Sequence, residues 1–187
     1  MTWIQSVLWW SNFKNGTSPD ALLYRKPNNA KFLKRKSDYV QKPISKDGLE
    51  WLWKRTIELG SSGFVFNSYG GRMAEIKATD TPMPHRAGNL FKIQHSSTWT
   101  DPSEEAAKKN TNLLNRLGFV SKNPRSAFFP YRGIDNGINK MDTYEEGKVY
   151  GVKYFNDNFE RLVDVKTAVD PENYVWNEQS IPPSRTT

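Results

Sequence analysis

In NLFKIQHSSTW (89–99), Lys92 and Gln94 stand two residues apart inside a run that reads as a strand. Period-two geometry sends both to one face and Ile93 and His95 to the other. An ammonium and an amide on the better-packed side of a strand are out of place unless something there uses a charge and a hydrogen-bonding group. Other chemistry-bearing types are scarce. The chain has no cysteine, so disulfides and thiolate metal sites are excluded. Its two histidines, His85 and His95, would need carboxylate help to hold zinc, and no metal is expected. His85 and Arg86 read as groups that pin a loop, and His95 as packing. Taken alone, Tyr131 reads as a buried ring with a satisfied hydroxyl. Lys92 alone reads as an edge lysine with a buried stem, and Asn67 as a turn residue.

The elements that must position these residues follow from pattern. A length of 187 residues allows one sizeable core or part of something larger. Hydrophobic residues are 36% and aromatics 13%, so rings carry the core, and this content argues against disorder. The opening MTWIQSVLWW has neither a basic leader nor a small-residue cleavage site and reads as a core strand. A polar turn follows, with a glycosylation acceptor at Asn15-Gly16-Thr17. SDYVQKPI (37–44) reads as a short extended piece ended by Pro43. Ser45 caps a helix through KDGLEWLWKRTIEL, with Leu49, Leu52, Trp53 and Thr56 on one face and Gly60 and Gly63 at its end. FVFNSYGGRMAEI (64–76) reads as two strands around a Gly70-Gly71 turn. Residues 101–118 read as a helix with Pro102 in its first turn, and 126–135 as a strand interrupted by Pro130. The last third reads as helical, with Tyr150, Tyr154, Phe155, Phe159 and Leu162 forming a core stripe. The architecture expected is α+β, an antiparallel sheet with helices on one side.

The net charge of +7 permits an acidic partner. Its basic residues cluster at 28–42, where Lys31, Lys34, Arg35 and Lys36 read first as a solvated face between strand and helix. The alternative function they suggest is a non-catalytic module holding acidic cell-wall polysaccharide. Nucleic acid has only this clustering in its favour. No run reaches the roughly 20 apolar residues of a membrane-spanning helix.

Five segments stand in an order that chance does not explain: YGGRMAEI (69–76), TPMPHRAGNLFKIQ (81–94), VSKNPRSAFFPYRGID (120–135), KYFNDNFERLVDVKTAVDPENY (153–174) and NEQSIPP (177–183). Together they resemble the carboxy-terminal part of the plant berberine bridge enzyme-like flavoproteins. The resemblance implies a substrate-binding portion over 1–118 and a berberine-bridge-type domain over 119–187. It implies FAD, bound in these proteins by an amino-terminal domain and linked to a histidine and a cysteine. Met1 matches a methionine before a similar SWIQS stretch, so the chain is expected to start inside the substrate domain and to need the FAD domain as partner.

In the monolignol-oxidising branch of that family, a strand lysine two residues before a glutamine sits beside a catalytic tyrosine. Matched residue by residue these are Lys92, Gln94 and Tyr131, with a pocket asparagine at Asn67. Phe128 and Pro130 match positions beside the flavin, Pro130 standing where the family carries asparagine. The implied reaction oxidises a monolignol-like or carbohydrate alcohol, with oxygen or another acceptor taking the electrons. Tyrosine is a poor base at neutral pH, but a neighbouring ammonium favours its anion. Gln94 would orient the substrate hydroxyl or the tyrosine. The resemblance also implies a secreted, cell-wall or endomembrane location.

Overall fold

The MTWIQSVLWW opening is a helix rather than the expected strand: in the computed structural model α1 spans Trp3–Trp10. Thr2 and Gln5 close a capping box, each side chain bonded to the other's backbone N–H. That T-x-x-Q signal outranks hydrophobicity, which without alternation cannot separate helix from strand. Only Leu8 of α1 is buried, while Trp3, Trp9 and Trp10 are exposed. A 3-10 turn at Pro19–Leu23 follows. The structure describes residues 1–25, 31–60, 62–116 and 126–184. Two compact units emerge, Met1–Lys31 and Phe32–Thr187. The expected boundary at 118/119 lies outside the described residues.

In the second unit, β1 (Phe32–Val40), β2 (Ser62–Ser68) and β3 (Phe91–Trp99) form an antiparallel sheet in the order β1-β3-β2. Lys34, Arg35 and Lys36 of the basic cluster therefore lie on a strand, and the solvated reading fails at Lys36, which is 4% exposed. The central strand β3 is buried on both faces from Lys92 through His95, so the expected contrast between a packed and an open face does not arise there. After β2 the chain turns through Gly70 and Gly71, both at positive φ, into the short helix α3 (Arg72–Glu75). The expected second strand is absent, because those two glycines redirect the chain instead of closing a hairpin.

Helix α2 (Lys46–Leu59) starts at the Ser45 cap and stops at Gly60, where φ is 61°. Gly63 belongs to β2 instead of the helix end. Of the expected apolar face only Leu52 is buried, and Trp53 is 67% exposed. Helix α4 (Glu104–Asn115) is capped by Ser103, so Pro102 lies just before the cap. Leu52 and Leu114 pack together with Ile44 and Phe64.

Residues 126–135 are not a strand. They make a 3-10 turn at Phe129–Tyr131 and run into a second at Ile134–Asn136. Pro130 lacks an N–H for a sheet ladder and fits the early positions of such a turn. Helices α5 (Tyr144–Phe155) and α6 (Asn158–Val169) are separated by Asn156 at φ 45°. Ala127, Tyr150, Tyr154 and Phe155 form a second core cluster, and Phe159 lies fully buried against Gly151. The architecture is α+β with an antiparallel sheet, as the pattern implies. Among the described residues no helix is long and apolar enough to cross a membrane, and no group of three metal-ligating side chains occurs.

Candidate active site

Lys92 and Gln94 lie on the central strand, so both of its neighbours contribute to their surroundings. The register sets Lys92 between Tyr39 and Asn67, and Gln94 between Ser37 and Val65. Lys92 is 6% exposed and Gln94 7%. Among the described residues neither the ammonium nor the side-chain amide has a hydrogen-bonding or ionic partner. Instead the Lys92 ammonium lies over two rings, 3.7 Å from the centroid of Phe128 and 4.8 Å from that of Tyr131. Burial pulls the Lys92 pKa below its ordinary value. A desolvated cation over aromatic faces is held by their quadrupoles.

The segment carrying these rings is tied down on both sides. Ala127 N–H donates to the Lys153 carbonyl at 2.8 Å, and Phe128 N–H to Ser37 Oγ on β1 at 2.9 Å. The Tyr131 N–H closes the turn on the Phe128 carbonyl at 2.9 Å, and the two rings meet edge to face at 5.3 Å. Beyond it, Asp135 is paired to Lys34 at 3.0 Å and more tightly to Lys36, which also donates to Asn115. Burial pushes the Asp135 carboxyl up, but the two lysines overrule it and hold the pKa at about 2. Lys34 and Lys36 are thus internal ties, and the idea that they face an acidic polymer is not supported.

Beside Lys92 on β1, Tyr39 packs with two further rings. Tyr39 lies 4.0 Å from His85 and meets Tyr69 edge to face at 5.5 Å. Burial raises the Tyr39 pKa, and its hydrogen bond with Tyr69 adds to this. His85 contacts the Tyr154 carbonyl through Nε2 at 3.0 Å. Burial draws the His85 pKa down to about 4 against the opposing pull of backbone carbonyls. Arg86 donates to Thr81 Oγ1 at 2.6 Å and braces the loop before β3.

Lys92, Tyr131 and Phe128 are therefore brought together, with Gln94 two residues along the same strand face. Asn67 sits across from Lys92 on β2 and is exposed. Pro130 is exposed in the turn beside Tyr131. Asn15 lies elsewhere, exposed in a turn of the first unit. Sequence reasoning missed the Lys34–Asp135–Lys36 tie, whose one signal is two lysines spaced i, i+2 on a strand. It also missed Gln179, which is 4% exposed and donates to the carbonyls of Gly133 at 3.0 Å and Gly137 at 2.7 Å. Its signal is its place in the NEQSIPP segment, which resembles the family but does not single out the glutamine.

Comparison with known proteins bears on the same region. Residues 127–182 match the family model described as berberine and berberine like. Berberine bridge enzyme-like 14 of Arabidopsis thaliana is 57% identical over 97% of this chain, which covers 36% of that protein. The structure of BBE-like number 28 from Arabidopsis thaliana superposes with a TM-score of 0.82 at 38% identity, covering 98% of this chain and 40% of that one. Phl p 4, described as a grass pollen allergen with glucose dehydrogenase activity, superposes with a TM-score of 0.81 at 40% identity, covering 98% of this chain and 39% of its own. The chain spans little more than a third of the length of these relatives, and over that span it belongs to the berberine bridge enzyme-like family.

Proposed function

We propose that the chain forms the substrate side of an FAD-linked oxidoreductase that oxidises an alcohol, with Tyr131 as the proton acceptor. The observation that carries this reading is the buried Lys92 ammonium over the Tyr131 ring, beside a Gln94 amide that no described residue engages. Removing the hydroxyl proton makes it easier for an alcohol carbon to give up two electrons. A tyrosine does this as its phenolate, whose negative charge spreads into the ring that faces the ammonium. A well-matched base contributes roughly 10²–10⁴-fold. Gln94 orients the substrate hydroxyl by its amide, and Asn67, across from Lys92 on β2, is the further substrate contact.

The residues present fit one wall of a flavin site. Phe128 is half-buried and Pro130 exposed, so both offer apolar surface to a ring system. Covalent links are not available from this wall, since there is no cysteine and both histidines are buried. The flavin, when bound, supplies the two-electron acceptor, and oxygen or another acceptor takes the electrons onward. Monolignol-like alcohols and sugars are the candidate substrates, the sugar supported by the glucose dehydrogenase activity named for Phl p 4. A division into a substrate portion over 1–118 and a terminal domain over 119–187 is supported by the family match beginning at 127. A secreted, cell-wall or endomembrane location is supported by the family match.

The test joins this chain to the amino-terminal two-thirds of a close relative such as berberine bridge enzyme-like 14. The joined protein is expected to be yellow and to reduce its flavin with an alcohol. Tyr131→Phe is expected to slow flavin reduction by roughly 10²-fold or more while leaving flavin content unchanged. Reduction at the original rate would remove Tyr131 from the mechanism.

A further inference from the structure

We infer that Gln179, in the tail after α6, is a positioning residue that sets where Tyr131 stands relative to Lys92. The inference rests on the reading of Tyr131 as proton acceptor. It starts from an asymmetry in how the Tyr131 segment is held. Upstream, Phe128 is fixed to β1 through Ser37. Downstream, β1 reaches residues 132–137 through the Asp135 side chain, while among the described residues their backbone is bonded by α5, where Lys153 Nζ donates to the Asn136 carbonyl at 2.8 Å, and by the carboxy-terminal tail. The Gln179 amide donates to the Gly133 and Gly137 carbonyls, which bracket the 3-10 turn at Ile134–Asn136. Its carbonyl oxygen accepts from Tyr154 Oη at 3.2 Å. The same Tyr154 oxygen accepts from Asn136 Nδ2 at 2.8 Å and from Gly133 N–H at 3.4 Å.

Two residues before Gln179, Asn177 Oδ1 takes a bond from Arg132 at 3.3 Å and another from the Gln179 N–H at 2.9 Å. Every polar atom of the Gln179 amide is therefore spent on the stretch directly after Tyr131, or on Tyr154 which grips that stretch. The tail itself is anchored, with Pro182 and Pro183 buried and the Glu178 carbonyl accepting from Asn139 N–H at 2.9 Å. Gly147 is what allows this seat, because a Cβ there would lie 2.5 Å from Pro182. An amide buried among carbonyls has no cheap alternative partner, so it fixes the geometry it bonds. A misplacement of the reacting group by about 1 Å costs on the order of 10²-fold in rate.

The test reads the position of the residue-131 ring directly and through turnover. With 3-fluorotyrosine at position 131, the fluorine resonance is followed in the full chain joined to the amino-terminal part of berberine bridge enzyme-like 14. Gln179→Met keeps the size and removes the bonds. It is expected to shift that resonance and to lower kcat roughly 10- to 100-fold with KM little changed. Gln179→Glu is expected to behave alike at neutral pH. Towards acid pH its carboxyl, raised by the surrounding carbonyls, protonates and can donate again. The resonance should then return toward its original position, which lost packing alone would not produce. That acid return also decides the matter if Gln179→Met does not fold. An unmoved resonance and unchanged kcat in folded Gln179→Met, or no acid return in Gln179→Glu, would overturn the inference. If instead Tyr131→Phe leaves flavin reduction intact while Gln179→Met still moves the resonance, the positioning stands and the proton-acceptor reading falls.

Discussion

At the scale of single residues, the site sets stability against function. Lys92 carries a desolvated charge whose compensation among the described residues is two ring faces. Cation–π attraction of about 0.5–2 kcal/mol does not offset the several kcal/mol it costs to dehydrate an ammonium. Lys92→Met should therefore raise the urea midpoint by the equivalent of about 1 kcal/mol while slowing flavin reduction in the joined protein. A lowered midpoint would mean that the ammonium contributes net stability. His85 gives a pH signature. Its folded pKa of about 4 lies below the ordinary 6.5, so the unfolded chain takes up a proton first as pH falls. Stability from the neutral ring is complete above 6.5 and is lost as pH falls toward 4, by roughly 3 kcal/mol in all. Asp135, held at about 2 against an ordinary 3.8, adds its loss only below that window. Urea midpoints between pH 7 and 4.5 should thus fall with acidity, and His85→Gln should flatten the slope. An unchanged slope in that variant would locate the effect elsewhere.

Among the elements, the α5–α6 pair supports the wall behind Tyr131, and glycines make its close approach possible. Gly151 faces Phe159 so closely that an added Cβ would stand under 3.0 Å from three ring atoms. Alanine in a helix interior normally gains about 1 kcal/mol over glycine. Here the ring is fully buried and cannot swing away, so overpacking decides the sign. Gly151→Ala is expected to destabilise by about 1–3 kcal/mol, read as a lower thermal midpoint. A rise in the midpoint would show that α6 yields freely. The sheet shows the opposite economy. With β3 central, polar side chains at Lys92 and Gln94 are packed from both sides, whereas β2 leaves Val65 47% and Phe66 51% exposed.

Over the whole molecule, large apolar residues on show call for cover. Trp3 is 79% exposed, Trp10 77%, Tyr174 92% and Val175 73%. Exposed apolar surface on this scale, with β2 open as an edge strand, favours association. The 187-residue chain on its own is expected to sediment with a mass that rises with concentration, and its tryptophan emission to be strongly quenched by acrylamide. Joining the amino-terminal part of a relative should reduce both effects. A monomer at all concentrations with shielded tryptophans would show that this surface is already satisfied.

How much of this was legible beforehand depends on whether the signal is local. The helix cap at Ser45, the glycine stop at Gly60 and the aromatic stripe through Tyr150, Tyr154 and Phe159 are local, and the sequence alone determined those elements and the α+β class. Chemistry-bearing residue types were legible too, since an ammonium and an amide two apart on a strand are conspicuous before any fold is known. The helix at Trp3–Trp10 and the non-strand at 126–135 were misread because apolar content does not report backbone geometry. Only the tertiary structure set the Lys92 ammonium over Tyr131 and Phe128, drew Lys34 and Lys36 inward to Asp135, and gave Gln179 its carbonyls. Those contacts join residues tens of positions apart, and each depends on where whole elements pack rather than on neighbours in the chain.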